Sequence, residues 1–450
     1  MIASSKGKAL SAGEGWWMVG MLLVFSTLSV TDRFVLAMVL DNVKGGLHLS
    51  DFQMGVLLGP AVAISYAASA LMFGWMADRY SRRSVIFIGI ISWSLATAAC
   101  GLAHSFASLF VARAFVGLGE AALLPSAYSL INDGIRPARV TTAFSIFAGG
   151  NRWGQAAAFA LGGWILGYFT WLLNRGVNLG GLVPWQLTFV FLGGVGMALA
   201  LLVFTFPEPV RRDPPLAVDR ASPKSLLAFS RKNAGLLVLL IVSCTVMTMV
   251  SNAIYNWSPA FVGRAFGWKP AAYGPVIGLL SIVAATALIG HGRIADILLN
   301  RRGMQDVHIR YYTWVLGAAI PLGIGMFFIP NPIVFLATLC LFEILALPFT
   351  MFVLATVARI APKEFRAQLT ACFVFCQSIA GMAASPLLVG ALTDYVFKDP
   401  AKLGWSLAVV ASVGCACAFV LLRIALRPLN SLLQTDSANV VPAMLQPKLA

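Results

Sequence analysis

Apolar runs about as long as a bilayer is thick follow one another along nearly the whole chain, and few folds accommodate that. A helix needs roughly 20 apolar residues to cross the hydrocarbon. Runs of that size are predicted near 17–42, 52–77, 84–103, 107–133, 141–170 and 185–206, and again near 234–262, 271–297, 308–329, 333–359, 368–397 and 404–427. Hydrophobic residues make up 59% of the chain and charged residues 11%, against about 25% charged in an average soluble protein. A large soluble helical core would need a polar face on each helix, and most of these segments lack one. The expected class is all-α, a polytopic membrane protein of about 12 transmembrane helices.

The formal net charge of +15 would suit a nucleic-acid partner, but its placement follows topology. Alternate loops hold Lys6, Lys8, Arg79, Arg82, Arg83, Arg136, Arg139, Arg211, Arg212, Arg220, Lys224, Arg231, Lys232, Arg301, Arg302, Arg310, Lys363 and Arg366. The intervening loops hold only Lys44, Arg175, Arg264, Lys269, Lys398 and Lys402. The positive-inside rule then places both termini in the cytoplasm and the chain in the inner (plasma) membrane, with the bilayer and not nucleic acid as its partner. The first run, from Trp16 to about Leu40, is too long for a signal-peptide core and no small-residue cleavage site follows it, so it is expected to remain as the first helix. The seven cysteines lie in apolar runs and form no C-x-x-C pair; buried inert thiols are expected, with no metal and no disulfide.

The chain reads as two copies of one plan. Gly74 precedes Asp78 by four residues with Arg79, Arg82 and Arg83 following, and Gly292 precedes Asp296 by four with Arg301 and Arg302 following. Glu120 precedes Pro125 by five residues, as Glu343 precedes Pro348. The loops Arg136-Pro137-Ala138-Arg139 and Lys363-Glu364-Phe365-Arg366 also correspond. The expected organisation is a six-helix half at 1–206, a proline-rich charged cytoplasmic linker at 207–233, a second six-helix half at 234–427 and a polar tail at 428–450. Parallel repeats of this kind bind substrate near the midplane between the halves.

Ionisable groups inside a span cost at least about 2.5–3.5 kcal/mol on insertion scales, so they need partners or a watery cavity. Asp32 and Arg33 lie deep in the first span, and Arg113 and Glu120 in the fourth. Seven residues is close to two helical turns, so Arg113 and Glu120 share a face, whereas Asp32 and Arg33 diverge by about 100°. These four are either static ion pairs or a site where Asp32 and Glu120 titrate against their arginine partners. The four histidines, His48, His104, His291 and His308, lie near span ends, which makes the carboxylates the better candidates for carrying a proton. Arg152, beside Asn151 and Gln155, is either a cavity cation favouring an anionic substrate or a side chain snorkelling to the surface. Asn252, Tyr255, Asn256 and Gln377 are further candidate cavity residues, and Glu343 reads as a structural partner.

Loop 74–83 resembles the signature between the second and third helices of the major facilitator superfamily, with Ser81 where a Gly is common. Thr31-Asp32-Arg33-Phe34, Arg113 to Ala121, Tyr255-Asn256-Trp257-Ser258-Pro259 and Thr393-Asp394-Tyr395-Val396-Phe397 resemble its Spinster-like branch, and the first two are shared with its anion–cation symporters. The resemblance implies two pseudo-symmetric six-helix halves and alternating access driven by a proton gradient, with no other cofactor and a single chain sufficing. It implies proton sites at Asp32 and Glu120, and charge partners or substrate-anion contacts at Arg33 and Arg113. It implies a cytoplasmic gate at Gly74, Asp78, Arg79, Arg82, Arg83 and Asp296. The expected substrate is an amphipathic organic anion, either an aromatic or other organic carboxylate or a lysophospholipid or sphingolipid. A membrane-embedded enzyme is the contrary class, but no H-E-x-x-H, Walker or G-x-S-x-G motif is present, so no catalytic residue is assigned. A membrane sensor that binds without translocating is the third.

Overall fold

The computed structural model describes residues 10–211, 223–362, 366–377 and 381–444. Lys6, Lys8, Arg212, Pro214, Pro215, Arg220, Lys363, Glu364, Phe365 and Ser378 lie outside them. Among the described residues eleven helices are long and apolar enough to cross a membrane. They are α1 (Ala12–Met38), α2 (Asp51–Arg79), α3 (Arg82–Gly101), α4 (Phe106–Gly134), α5 (Pro137–Asn174), α6 (Pro184–Thr205), α7 (Ala234–Phe266), α8 (Pro270–Arg302), α9 (Val307–Phe328), α10 (Pro332–Ile360) and α12 (Pro400–Gln434). Between the last two lies α11, in two pieces, Arg366–Cys376 and the shorter apolar Met382–Phe397. The helix of α12 continues to Met444, well past the predicted end at 427.

The ends of these helices follow local chemistry. Ser11 caps α1 and Ser50 caps α2, each with a side chain three residues on returning the bond. Prolines then interrupt the long helices, because each removes one N–H from the ladder. α2 breaks at Gly59 ahead of Pro60. α4 breaks after Glu120, four to five residues before Pro125, and α10 breaks after Ala346, just before Pro348. The duplicated Glu-to-Pro spacing therefore places one carboxylate at the same kind of break in each half. In α10 the carbonyl of Ile344, four residues before Pro348, takes a hydrogen bond from His291 (3.1 Å), and Tyr312 donates to Ala346 O (3.0 Å).

The compact units do not coincide with the sequence halves. One unit contains Met1–Pro214, Tyr255–Ile282 and Met382–Ser406; the other contains Pro215–Ile254, Val283–Gly381 and Leu407–Ala450. Their boundaries fall inside α7, α8, α11 and α12 rather than at the linker alone. Close backbone approach holds the first unit together, since small residues let helices touch. Thr31 Oγ1 on α1 donates to Gly154 O on α5 at 3.1 Å. A Cβ on Gly55 of α2 would lie 2.5 Å from Pro386 O on α11, so only glycine permits that contact. The second unit has its own core, in which Tyr312, Leu316, Phe335, Phe342 and Phe352 are fully buried.

Candidate functional site

The four charges predicted inside the first unit come together, with pairings that spacing alone does not supply. Arg33 Nε donates to Glu120 Oε2 at 3.1 Å and its Nη2 makes a second, shorter bond to the same oxygen. Arg33 also lies over the Tyr66 ring, 5.7 Å from its centroid. The arginine side chain is 18% exposed and the glutamate 1%, so the pair meets its surroundings through the cation. Among the described residues Glu120 Oε1 has no hydrogen-bond partner.

Arg113 shares a face with Glu120, as the seven-residue spacing requires, but its guanidinium bonds to main chain. Its three nitrogens donate to Leu57 O (3.3 Å), Asp32 O (3.3 Å) and Arg33 O (3.2 Å). Leu57 is on the turn before the Gly59-Pro60 break. Arg113 is thus a fully buried brace tying α4 to α1 and α2. Asp32 diverges from Arg33, as their helical positions demand. It is 0% exposed, and among the described residues neither carboxylate oxygen has a partner in hydrogen-bond geometry. Arg113 and Glu120 are its charged neighbours, and Trp93 and Thr97 of α3 lie beside it.

Arg152 on α5 is half-buried. Its Nη1 donates to Tyr255 Oη (3.0 Å) and Gln155 Oε1 (3.3 Å), and its charge lies 5.7 Å from the Tyr255 ring centroid. Among the described residues it pairs with no carboxylate. Gln155 and Asn256 are buried, whereas Asn151 is exposed and reaches only Ala148 O. In the second unit Asn252 donates to Thr248 O (3.0 Å) and Gln377 to Thr350 Oγ1 (2.8 Å). Glu343 is buried there as well.

Loop 74–83 divides into a buried and an exposed part. Asp78 and Arg79 are exposed, Arg79 lying over the Trp75 ring at 4.3 Å, and Asp296 is exposed in the second unit. Arg82 is fully buried and donates to Glu208 (3.1 Å), Asp133, Ser129 (3.0 Å) and Pro209 O (2.7 Å). Arg83 lies over Phe204, 5.5 Å from the ring centroid. Arg211 caps the end of α2 by donating to the carbonyls of Ala77 (2.7 Å), Asp78 and Tyr80 (2.7 Å). Gly74 has open space around its Cα.

At the opposite ends of these helices lies a cluster that the sequence reading left among the loop charges. Arg264, two residues before the end of α7, donates to Asp51 Oδ2 (3.0 Å) and Oδ1 (2.7 Å) and to Asp41 Oδ1 (2.9 and 2.7 Å). Lys44 Nζ lies 2.7 Å from Asp51. Asp394, inside the Thr393-to-Phe397 stretch, accepts from the N–H of Phe52 at 2.6 Å, and Tyr395 packs on Phe52. A cavity of about 520 Å³ opens beside Asp41, Lys44 and Arg264. The available signal was the position of Asp51 directly after its Ser50 cap, where a carboxylate suits the helix dipole.

Long apolar helices around a buried ion cluster define a polytopic membrane carrier architecture. Residues 22–386 match the Major Facilitator Superfamily, and the chain belongs to that family of transporters. It is 26% identical over 394 residues to an MFS-type efflux pump of Mycolicibacterium smegmatis, covering 86% of each chain. It is 25% identical over 266 residues to the cis,cis-muconate transport protein of Acinetobacter baylyi, covering 57% of this chain and 61% of that one. It is 24% identical over 397 residues to protein spinster of Drosophila melanogaster, covering 85% of this chain and 62% of that one. The fold matches the crystal structure of a bacterial homologue of the human lysosomal transporter Spinster, inward-facing and unoccupied, with a TM-score of 0.77 at 22% identity over 95% and 98% of the two chains.

Proposed function

We propose that this chain is a proton-coupled secondary transporter that moves an amphipathic organic anion across the inner membrane by alternating access. Both termini lie in the cytoplasm, a single chain suffices, and the proton gradient is the energy source. The observation that carries this reading is the Arg33–Glu120 pair, buried on the acid's side and partly exposed on the base's, with Asp32 buried nearby and, among the described residues, without a partner in hydrogen-bond geometry. An ion pair in this setting loses its attraction when the carboxylate takes up a proton. Arg33 is then released toward the substrate's anionic group, and Arg152, with no carboxylate of its own among the described residues, supplies a second cation. Tyr66 and Tyr255, each under one of these arginines, give the apolar part of the substrate aromatic surface. A relative named for cis,cis-muconate transport supports a carboxylate.

In this reading Arg264, Asp41, Lys44 and Asp51 seal the extracellular ends, because they join helices from both sequence halves. Loop 74–83 forms the cytoplasmic gate, with Asp78 exposed for docking and Arg82 holding the loop's shape. A lysophospholipid-type or sphingolipid-type anion is the second reading of the substrate, favoured by the spinster-named relatives. Uptake of labelled cis,cis-muconate, benzoate and a lysophospholipid into proteoliposomes under an imposed pH gradient tests the proposal. Accumulation of one of them that collapses with the gradient is expected. Binding without any gradient-driven movement would indicate a sensor instead.

A further inference from the structure

Aromatic rings stand in a stack on the outward face of α5. The centroids of Trp164 and Tyr168 lie 5.8 Å apart with planes at 12°, and those of Tyr168 and Trp171 lie 6.1 Å apart with planes at 22°. The Arg175 guanidinium covers the next tier, 4.0 Å from the Trp171 ring centroid. Spacings of four, three and four residues set these side chains on one face of a helix. The other faces of α5 are covered: Gly154 meets α1, Gly163 and Gly167 meet α8, and Phe169 packs on Phe191 of α6. Trp164, Tyr168 and Trp171 remain 60%, 46% and 47% exposed. The rise from Trp164 to Arg175 is about 16 Å, close to half of the roughly 30 Å hydrocarbon. The ladder therefore spans one leaflet, the outer one under the topology proposed above, with Arg175 at the headgroup end.

Trp and Tyr are common at membrane interfaces without binding any particular lipid. The state of Arg175 sets this ladder apart. A guanidinium that stacks by its plane keeps the N–H edge of its fork free, and among the described residues Arg175 makes no ion pair. The helix end does not occupy it either. Gly176, at φ +80°, turns the chain, and the N–H groups of Gly176 (3.0 Å) and Val177 (3.3 Å) donate to the carbonyls of Leu173 and Leu172. No Asp or Glu stands between Asp133 and Glu208, so this stretch offers no partner to a headgroup cation. We propose that this face binds an anionic phospholipid. Arg175 takes the phosphate through its fork, and an acyl chain lies along Trp171, Tyr168 and Trp164. A second copy is the poorer occupant, since a two-fold contact across this face sets Arg175 against its own counterpart. The inference does not depend on the proton-coupled reading of the transport site.

The test is native mass spectrometry of the full-length protein, stripped of lipid in detergent and titrated with phosphatidylglycerol, phosphatidylcholine and inorganic phosphate. Phosphatidylglycerol is expected to bind more tightly than phosphatidylcholine. Arg175→Gln removes the charge-assisted bonds, so affinity for the tightest phosphatidylglycerol is expected to fall by about 10-fold or more. Arg175→Lys keeps the charge without the planar fork and is expected to recover only part of it. Trp171→Leu keeps the arginine without its platform and is expected to cost about 2- to 5-fold. Arg175 and Trp171 are both exposed, so each variant is expected to keep the wild-type thermal midpoint, which separates lost binding from lost fold. Wild-type affinity for phosphatidylglycerol in Arg175→Gln overturns the inference. Displacement of the lipid by inorganic phosphate also overturns it, in favour of a free-anion site. A dimer that Arg175→Gln disperses would give the face to a second copy instead.

Discussion

The guanidinium of Arg264 on α7 grips both carboxylate oxygens of Asp51 on α2, at 3.0 and 2.7 Å, and Asp51 is 0% exposed. The two residues come from opposite halves of the sequence. Arg264 also holds Asp41, and Lys44 reaches Asp51 from the other side. In the proposed alternating cycle this clasp opens once per turnover. Removing one partner of a buried pair costs about 3–5 kcal/mol, an upper bound here because Lys44 remains. Arg264→Ala is expected to raise the labelling rate of Ser258→Cys, a 2% exposed position on α7, by about 10-fold or more in a background without native cysteines. An unchanged labelling rate would show that the clasp does not hold these ends closed.

Arg152 offers its charge to Tyr255 and Gln155 alone among the described residues. A charge-assisted hydrogen bond contributes about 1.5–3 kcal/mol, so Arg152→Gln is expected to raise the half-saturating concentration of an organic anion by about 10- to 100-fold. The maximal rate should change much less. A wild-type half-saturating concentration in Arg152→Gln would remove Arg152 from the substrate site.

Arg82 joins α3 to the end of α4 through Asp133 and to the segment after α6 through Glu208. It is 0% exposed, so Arg82→Ala leaves two carboxylates without their buried cation. A loss of about 3–5 kcal/mol is expected, read as a lower thermal midpoint in detergent. Arg82→Lys should recover only part of it, because an ammonium lacks the planar fork that reaches Glu208, Asp133 and Pro209 O together. A wild-type midpoint in Arg82→Ala would contradict this role.

Hydropathy made the long helices legible, and the Glu-to-Pro spacing made legible a carboxylate at a helix break in each half. Helical period alone separated Asp32 from Arg33. It did not choose between Arg33 and Arg113 as the partner of Glu120, because that choice depends on how α1 crosses α4. Arg113 turned to main-chain carbonyls, one on the turn before Pro60 and two on α1, contacts without any sequence period. Asp51 and Arg264 lie at span ends, where charge is ordinary, so nothing local marks them as a pair. The unit boundaries inside α7, α8, α11 and α12 reflect tertiary contacts, such as Gly55 on Pro386, which hydropathy cannot register.

Coupling itself is tested most directly by proton movement driven by substrate. A pH-sensitive dye inside proteoliposomes would report protons that accompany an organic anion, compared for wild type, Asp32→Asn and Glu120→Gln. The wild-type protein is expected to move protons with the anion, and both variants to bind it while moving none against a gradient. Proton movement and accumulation at wild-type levels in both variants would contradict the account.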